Sequence, residues 1–176
     1  MTDLERARAD VERVLGPKVA ARVEVFTDGG LYVRPGEIRR LLAWFLDFVV
    51  FLLLAVIGVV ALALADRSAG FGGGTIAMAF LGILLLAPAL YGLACYRGGR
   101  AFGGVSTGTR LVRMADGGRV GTRAPWAMLV RTVLMPLLLA AVVTGGTSPG
   151  GTLARTSVDV AGTGRLHAAG FHRLVR

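Results

Sequence analysis

The sequence predicts an all-α integral membrane protein with three transmembrane helices and a small cytoplasmic α-β-β cap at its N-terminus. Three observations carry that expectation. The 176-residue chain is 54% hydrophobic, with a mean hydropathy of +0.64, beyond what a soluble domain normally carries. Its apolar residues gather into three long runs, 41–65, 75–96 and 126–144. Its net charge of +9 comes from arginines crowded at the ends of those runs, as the excess of basic residues on the cytoplasmic side of membrane helices requires. That placement, with no basic stripe carrying interleaved aromatics, argues against nucleic acid as a partner. The lipid bilayer is the partner expected instead.

Residues 1–35 read as an N-terminal arm or cap. Thr2 and Glu5 have capping-box spacing, and Leu4, Ala7, Val11, Val14 and Leu15 share one helical face, so an amphipathic helix is expected over 2–15, stopped by Gly16-Pro17. Val19 to Val33 alternates, with Ala21, Val23 and Val25 on one side and Arg22 and Glu24 on the other, and Asp28-Gly29-Gly30 offers a hairpin turn. The alternative to a folded cap is a surface arm at the headgroups. This charged segment has no signal-peptide pattern, so the first span is expected to direct insertion itself.

Pro35-Gly36 breaks the preceding chain, Glu37 suits a first helical turn, and Asp66-Arg67-Ser68 closes the first apolar run. At ~1.5 Å per residue the run 41–65 exceeds the ~30 Å hydrocarbon core of a bilayer. Its one ionisable residue is Asp47. A carboxylate there costs at least ~2.5 kcal/mol unless paired, protonated or wetted. Arg131 is the candidate partner for an intramembrane ion pair with Asp47. It lies five residues past Trp126, much as Asp47 lies three past Trp44, so the two depths are similar if both runs start at the cytoplasmic face. Arg40 shares the face of Asp47, but its side chain leans toward the headgroups, away from the acid. The competing reading has Arg131 snorkelling alone to the cytoplasm.

The second run is free of charge and carries Gly82, Pro88 and Gly92, and its short Gly-rich connection to the first makes the two spans antiparallel neighbours. Ala61 with Ala65, and Pro88 with Gly92, have the small-xxx-small spacing that lets backbones approach. The segment 97–123 holds six arginines against Asp116 alone, which places it in the cytoplasm and the N-terminus with it. Within it Arg110 to Met114, followed by Asp116-Gly117-Gly118, reads as a strand and tight turn. Gly103 to Thr109 is glycine-rich but lacks the lysine of a phosphate loop. The third run is interrupted by Arg131 and Pro136 and is barely long enough to cross. It is either a tilted, kinked span or a re-entrant element. Residues 165–176 form a basic tail.

Three segments carry a family resemblance, over roughly residues 36–164. Arg40-Leu41-Leu42-Ala43-Trp44-Phe45-Leu46-Asp47 resembles the first-helix signature of the RDD family of small bacterial membrane proteins, named for one arginine and two aspartates. Ser106-Thr107-Gly108-Thr109-Arg110-Leu111, followed by Asp116-Gly117-Gly118, is similar to its Gly-Lys-Arg-Leu segment and acidic turn, with Thr109 where lysine is usual. Asp159-Val160-Ala161-Gly162-Thr163 is similar to its closing Asp…Ala-Gly-Thr motif, one residue short. The resemblance implies Arg40, Asp47 and Asp159 as motif residues of a multi-pass plasma-membrane protein, with a transport role proposed for the family.

No enzyme constellation emerges, because the membrane acids stand one per region and no nucleophile has a base beside it. His167 and His172 do not share a helical face at that spacing, so they are expected to be solvated rather than metal-bound. No cofactor is expected, and the single Cys95 excludes an internal disulfide. Two roles remain for Asp47: a proton- or monovalent-cation-binding site in a transport path, or a polar pin that fixes helix packing in an anchor or accessory protein. Three helices cannot enclose a pathway alone, so transport requires a homo-oligomer or a membrane partner.

Overall fold

In the computed structural model the described residues are 2–96, 98, 100–130, 132 and 155–174. Among them the protein is mostly helical, with two long apolar helices and a small α/β cap. Helix α1 (Asp3–Leu15) starts on the expected capping box: the Glu5 amide donates to Thr2 Oγ1 and the Thr2 amide to Glu5 Oε2. Val11 is its buried residue, with Leu4, Ala7 and Leu15 packed around the same cluster. Val14, expected on that face, is instead 62% exposed, because at 100° per residue it stands on the flank of a stripe defined by 4, 7, 11 and 15.

After the short helix α2 (Pro17–Ala20), strands β1 (Val23–Val25) and β2 (Leu31–Val33) pair antiparallel with Val23 opposite Val33. The turn forms as Asp28 Oδ1 accepts from the Gly30 amide and Gly29 takes a positive φ of 87°. All three residues of β2 are buried. The reason is that the hairpin has protein on both faces: Leu31 and Val33 join Val11, Val23 and Leu166, while Tyr32 joins Val112 and Val158.

Helix α3 (Glu37–Ala69) runs from Gly36 to a left-handed Gly70 cap, and α4 (Gly73–Tyr96) follows directly. Gly58 of α3 lies against Ile83, and nearer the start of α3 Asp47 meets Tyr91, nearer the end of α4. The helices are therefore antiparallel. Only 11% and 17% of their most apolar windows are buried in the protein, which distinguishes them from core helices of a soluble domain. On α3 the buried residues are Ala43, Asp47, Phe51 and Ala55, a one-turn repeat that marks a single inward face. At Gly92 a Cβ would stand 2.9 Å from Pro125 Cα, so α4 and α6 (Ala124–Leu129) touch through backbone. Of the expected third span, 126–144, only its first residues fall in α6; Arg131 and residues 133–154 lie outside the described residues.

The all-α expectation is corrected by a second two-stranded sheet. Strand β3 (Thr109–Arg113) follows helix α5 (Phe102–Thr107), and it pairs with β4 (Arg155–Asp159), which leads into helix α7 (Val160–Ala168). The register sets Thr109 opposite Asp159. The C-terminal segment then turns back along the hairpin, where the Leu31 amide donates to the His172 carbonyl and the Leu174 amide to that of Gly29. Residues read as a basic tail thus pack on the N-terminal cap, with Leu166 at 0% exposure between them.

Candidate functional site

Asp47 is fully buried, at 0% exposure. Its Oδ1 accepts from the Tyr91 hydroxyl at 3.0 Å and from the Gly103 amide at 2.8 Å. The same Tyr91 oxygen accepts from the Phe102 amide at 2.9 Å. Phe102 and Gly103 open α5, whose first amides have no acceptor within their own helix. A carboxylate of α3 and a hydroxyl of α4 supply what α5 lacks. The approach depends on glycine: a Cβ on Gly103 would fall 1.9 Å from the Ala43 carbonyl oxygen and 3.0 Å from Asp47 Cγ.

The chain leaves α5 through Gly108, whose φ of 67° turns it into β3. The Gly108 carbonyl in turn accepts from the Val160 amide, so the end of α5 lies beside the second acidic locus. Asp159 is 3% exposed and caps α7, its Oδ1 accepting from the Gly162 amide at 3.0 Å. Its Oδ2 faces Arg39 at 3.3 Å and Arg22 at 3.5 Å. Arg40 points elsewhere, to Glu37 at 3.2 Å. Gly162 is tight here as well, since an added Cβ would meet Val33 Cγ1 at 3.0 Å. Arg39 and Asp47 lie on one helix about two turns apart, and each holds a different piece of the unit formed by α5, the β3–β4 sheet and α7.

The RDD family model matches residues 34–164, most of the chain and the stretch that contains both acidic loci. The chain belongs to the RDD family. RDD proteins are membrane proteins, in accord with the open apolar faces of α3 and α4. No curated protein and no solved structure matches the chain. In this RDD protein the cap and the last residues fall outside the matched stretch and pack on each other, and the cap reaches the matched stretch through Tyr32 against Val112 and Val158 and through Arg22 on Asp159.

Of the residues singled out in the sequence, Asp47 and Asp159 both prove buried and hydrogen-bonded, and the expected Asp47–Arg131 pair lies outside the described residues. The sequence reasoning missed Tyr91, Gly103, Arg39 and Arg22. Tyr91 had one available signal: its hydroxyl lies five residues in from the end of the second apolar run, much as Asp47 lies six in from the start of the first. The histidines come together only because α7 ends and the chain reverses at Gly170: the two rings lie 5.1 Å apart with their planes tilted by 36°, and His172 is exposed, as expected. His167 is half-buried, with Nε2 2.9 Å from the Leu31 carbonyl. Among the described residues no three His, Cys, Asp or Glu side chains converge as a metal would require.

Proposed function

We propose that this RDD protein is a non-enzymatic, multi-pass plasma-membrane protein that works as an anchored component of a homo-oligomer or of a complex with a membrane partner. In this reading Asp47 is a polar pin. The observation that carries it is the fully buried carboxylate accepting from the Gly103 amide, at the start of a segment that runs straight into the β3–β4 sheet. The N-terminus and the arginine-rich segment are cytoplasmic, supported by Arg34, Arg39 and Arg40 before α3 and the balanced Asp66-Arg67 at its far end. Lipid covers the exposed faces of both apolar helices.

A second reading makes Asp47 a site for a proton or monovalent cation in a transport path completed by oligomerisation. Its support is the burial of an ionisable group in an apolar helix, the position at which membrane proteins place ion pathways. Purified protein in liposomes separates the two. Absence of proton flux under sodium, potassium and proton gradients, with the protein folded, is the expected result; cation-dependent flux abolished by Asp47→Asn would replace the pin with the transport site.

A further inference from the structure

A cavity of about 280 Å³ lies between the β3–β4 sheet and α7. Arg110 and its cross-strand partner Val158 form one wall, and Phe26 of the hairpin lines it as well. The other wall is the face of α7 that carries Thr163, Gly164 and His167. Their positions follow from period: Arg110 is one step out of phase with Thr109 on the strand, and residues 163, 164 and 167 share a helical stripe.

Arg110 is the unusual group. Its Nε is buried without an acceptor, and among the described residues its guanidinium has no acid and no hydrogen bond. Neighbouring arginines behave differently. Arg113 on the same strand pairs with Asp116 at 2.7 Å, and Arg22 and Arg39 share Asp159. A guanidinium stays charged at any physiological pH and presents its donors in a planar fork, so a half-buried one beside a cavity can pair with an anion that enters it.

Most of the other polar groups around the cavity are already engaged. Thr163 Oγ1 accepts from the Val33 amide at 3.0 Å, which leaves its hydroxyl proton as a donor, and His167 Nε2 donates to the Leu31 carbonyl, which can only accept. Asp116 also lines the space, but its oxygens are held by Arg113 and by the Gly118 amide at 2.9 Å. What remains is one cationic fork and the Thr163 hydroxyl donor above an apolar floor.

We infer that this cavity binds a small organic carboxylate. The planar fork matches the two oxygens of a carboxylate, and Phe26 and Val158 take the apolar body. Inorganic phosphate fits less well, because beyond the fork and the single Thr163 hydroxyl its further oxygens would face hydrocarbon. Gly164 lines the cavity and an added Cβ there meets nothing within 4 Å, so a larger side chain can be placed at its rim without a backbone clash. The site is outside both apolar helices, and it does not depend on which role Asp47 plays.

The test is calorimetric titration of the full chain in uncharged micelles with butyrate, compared with inorganic phosphate and chloride at matched ionic strength. Butyrate is expected to bind saturably, and Arg110→Gln is expected to weaken it at least ~10-fold through loss of the charged fork. Gly164→Leu fills the space while leaving the arginine in place, so it is expected to abolish binding; it decides the matter if Arg110→Gln fails to fold. Butyrate no better than chloride, phosphate tighter than butyrate, or binding unchanged by Gly164→Leu would each overturn the site.

Discussion

Asp47 and Gly103 meet where the first apolar helix joins α5: the Gly103 amide donates to Asp47 Oδ1 at 2.8 Å, and a Cβ on Gly103 would overlap the Ala43 carbonyl oxygen at 1.9 Å. No rotamer relieves a clash with backbone. Gly103→Ala must therefore push α5 off α3 and break the hydrogen bond together. A loss on the order of 4 kcal/mol is expected, in the range reserved for core overpacking and broken buried networks. Thermal denaturation in micelles measures it. Gly82→Ala is the control, since a Cβ there meets nothing within 4 Å, and it should leave the melting temperature unchanged.

Asp159 combines a helix cap with two arginine contacts, and the variants Asp159→Asn and Asp159→Ala separate them. Asparagine caps as well as aspartate, whereas alanine loses ~1 to 2 kcal/mol at such a position. Arg39 is 56% exposed, so solvent screens its pairing and the charge itself contributes little. Asp159→Asn should thus stay close to wild type while Asp159→Ala falls well below it. Equal losses from both would assign the stability to the ion pairs.

Much of this architecture is legible locally, and the part that is not has a common cause. The capping box of α1, the Asp28–Gly30 turn and the ends of α3 are fixed by residues a few positions apart, which a single sequence displays. The segment Arg155-Thr-Ser-Val-Asp159 has no alternating apolar pattern, and it is a strand because β3 offers it a ladder from across the chain. Leu166 and Phe171 look like isolated apolar residues in a polar tail, and their partners belong to the N-terminal cap. The depth argument that selected Arg131 compared residues along helix axes. The contacts to Gly103 and Tyr91 come instead from backbone proximity and a neighbouring span, which periodicity does not encode. Arg39 rather than Arg40 reaches Asp159 for the same reason, since the direction from α3 to β4 is set only once the sheet has formed.

Tyr32 reports on the contact between the two sheets. Burial, reinforced by its hydrogen bond to Glu24 Oε2 at 2.6 Å, pushes its hydroxyl up from 10.0 to about 12. The native state therefore holds this proton more tightly than the unfolded chain does. Its contribution is fully present below pH 10 and is lost as pH rises toward 12, with at most ~2 to 3 kcal/mol at stake for such a shift. Alkaline denaturation followed by tyrosinate absorbance should show a late-titrating tyrosine, and Tyr32→Phe should remove the stability loss across that window. A Tyr32→Phe protein that loses stability as steeply as wild type would contradict this.

Topology is open to single-cysteine labelling in a Cys95→Ala background. With the N-terminus inside, Gly72→Cys in the α3–α4 connection should react with an impermeant thiol reagent on intact cells, and Gly117→Cys should react only after permeabilisation. The reverse pattern would invert the orientation.

Amide hydrogen exchange at Phe102 and Gly103, compared between wild type and Asp47→Leu, tests the pin most directly. Leucine fills the space but leaves the Gly103 amide and the Tyr91 hydroxyl without the Oδ1 acceptor they share. Loss of one such bond is worth ~1 to 3 kcal/mol, so exchange at these two amides should accelerate at least ~5-fold while the middle of α3 and α4 stays protected. Unchanged protection at Gly103 in Asp47→Leu would show that α5 is held to the membrane helices by something other than Asp47.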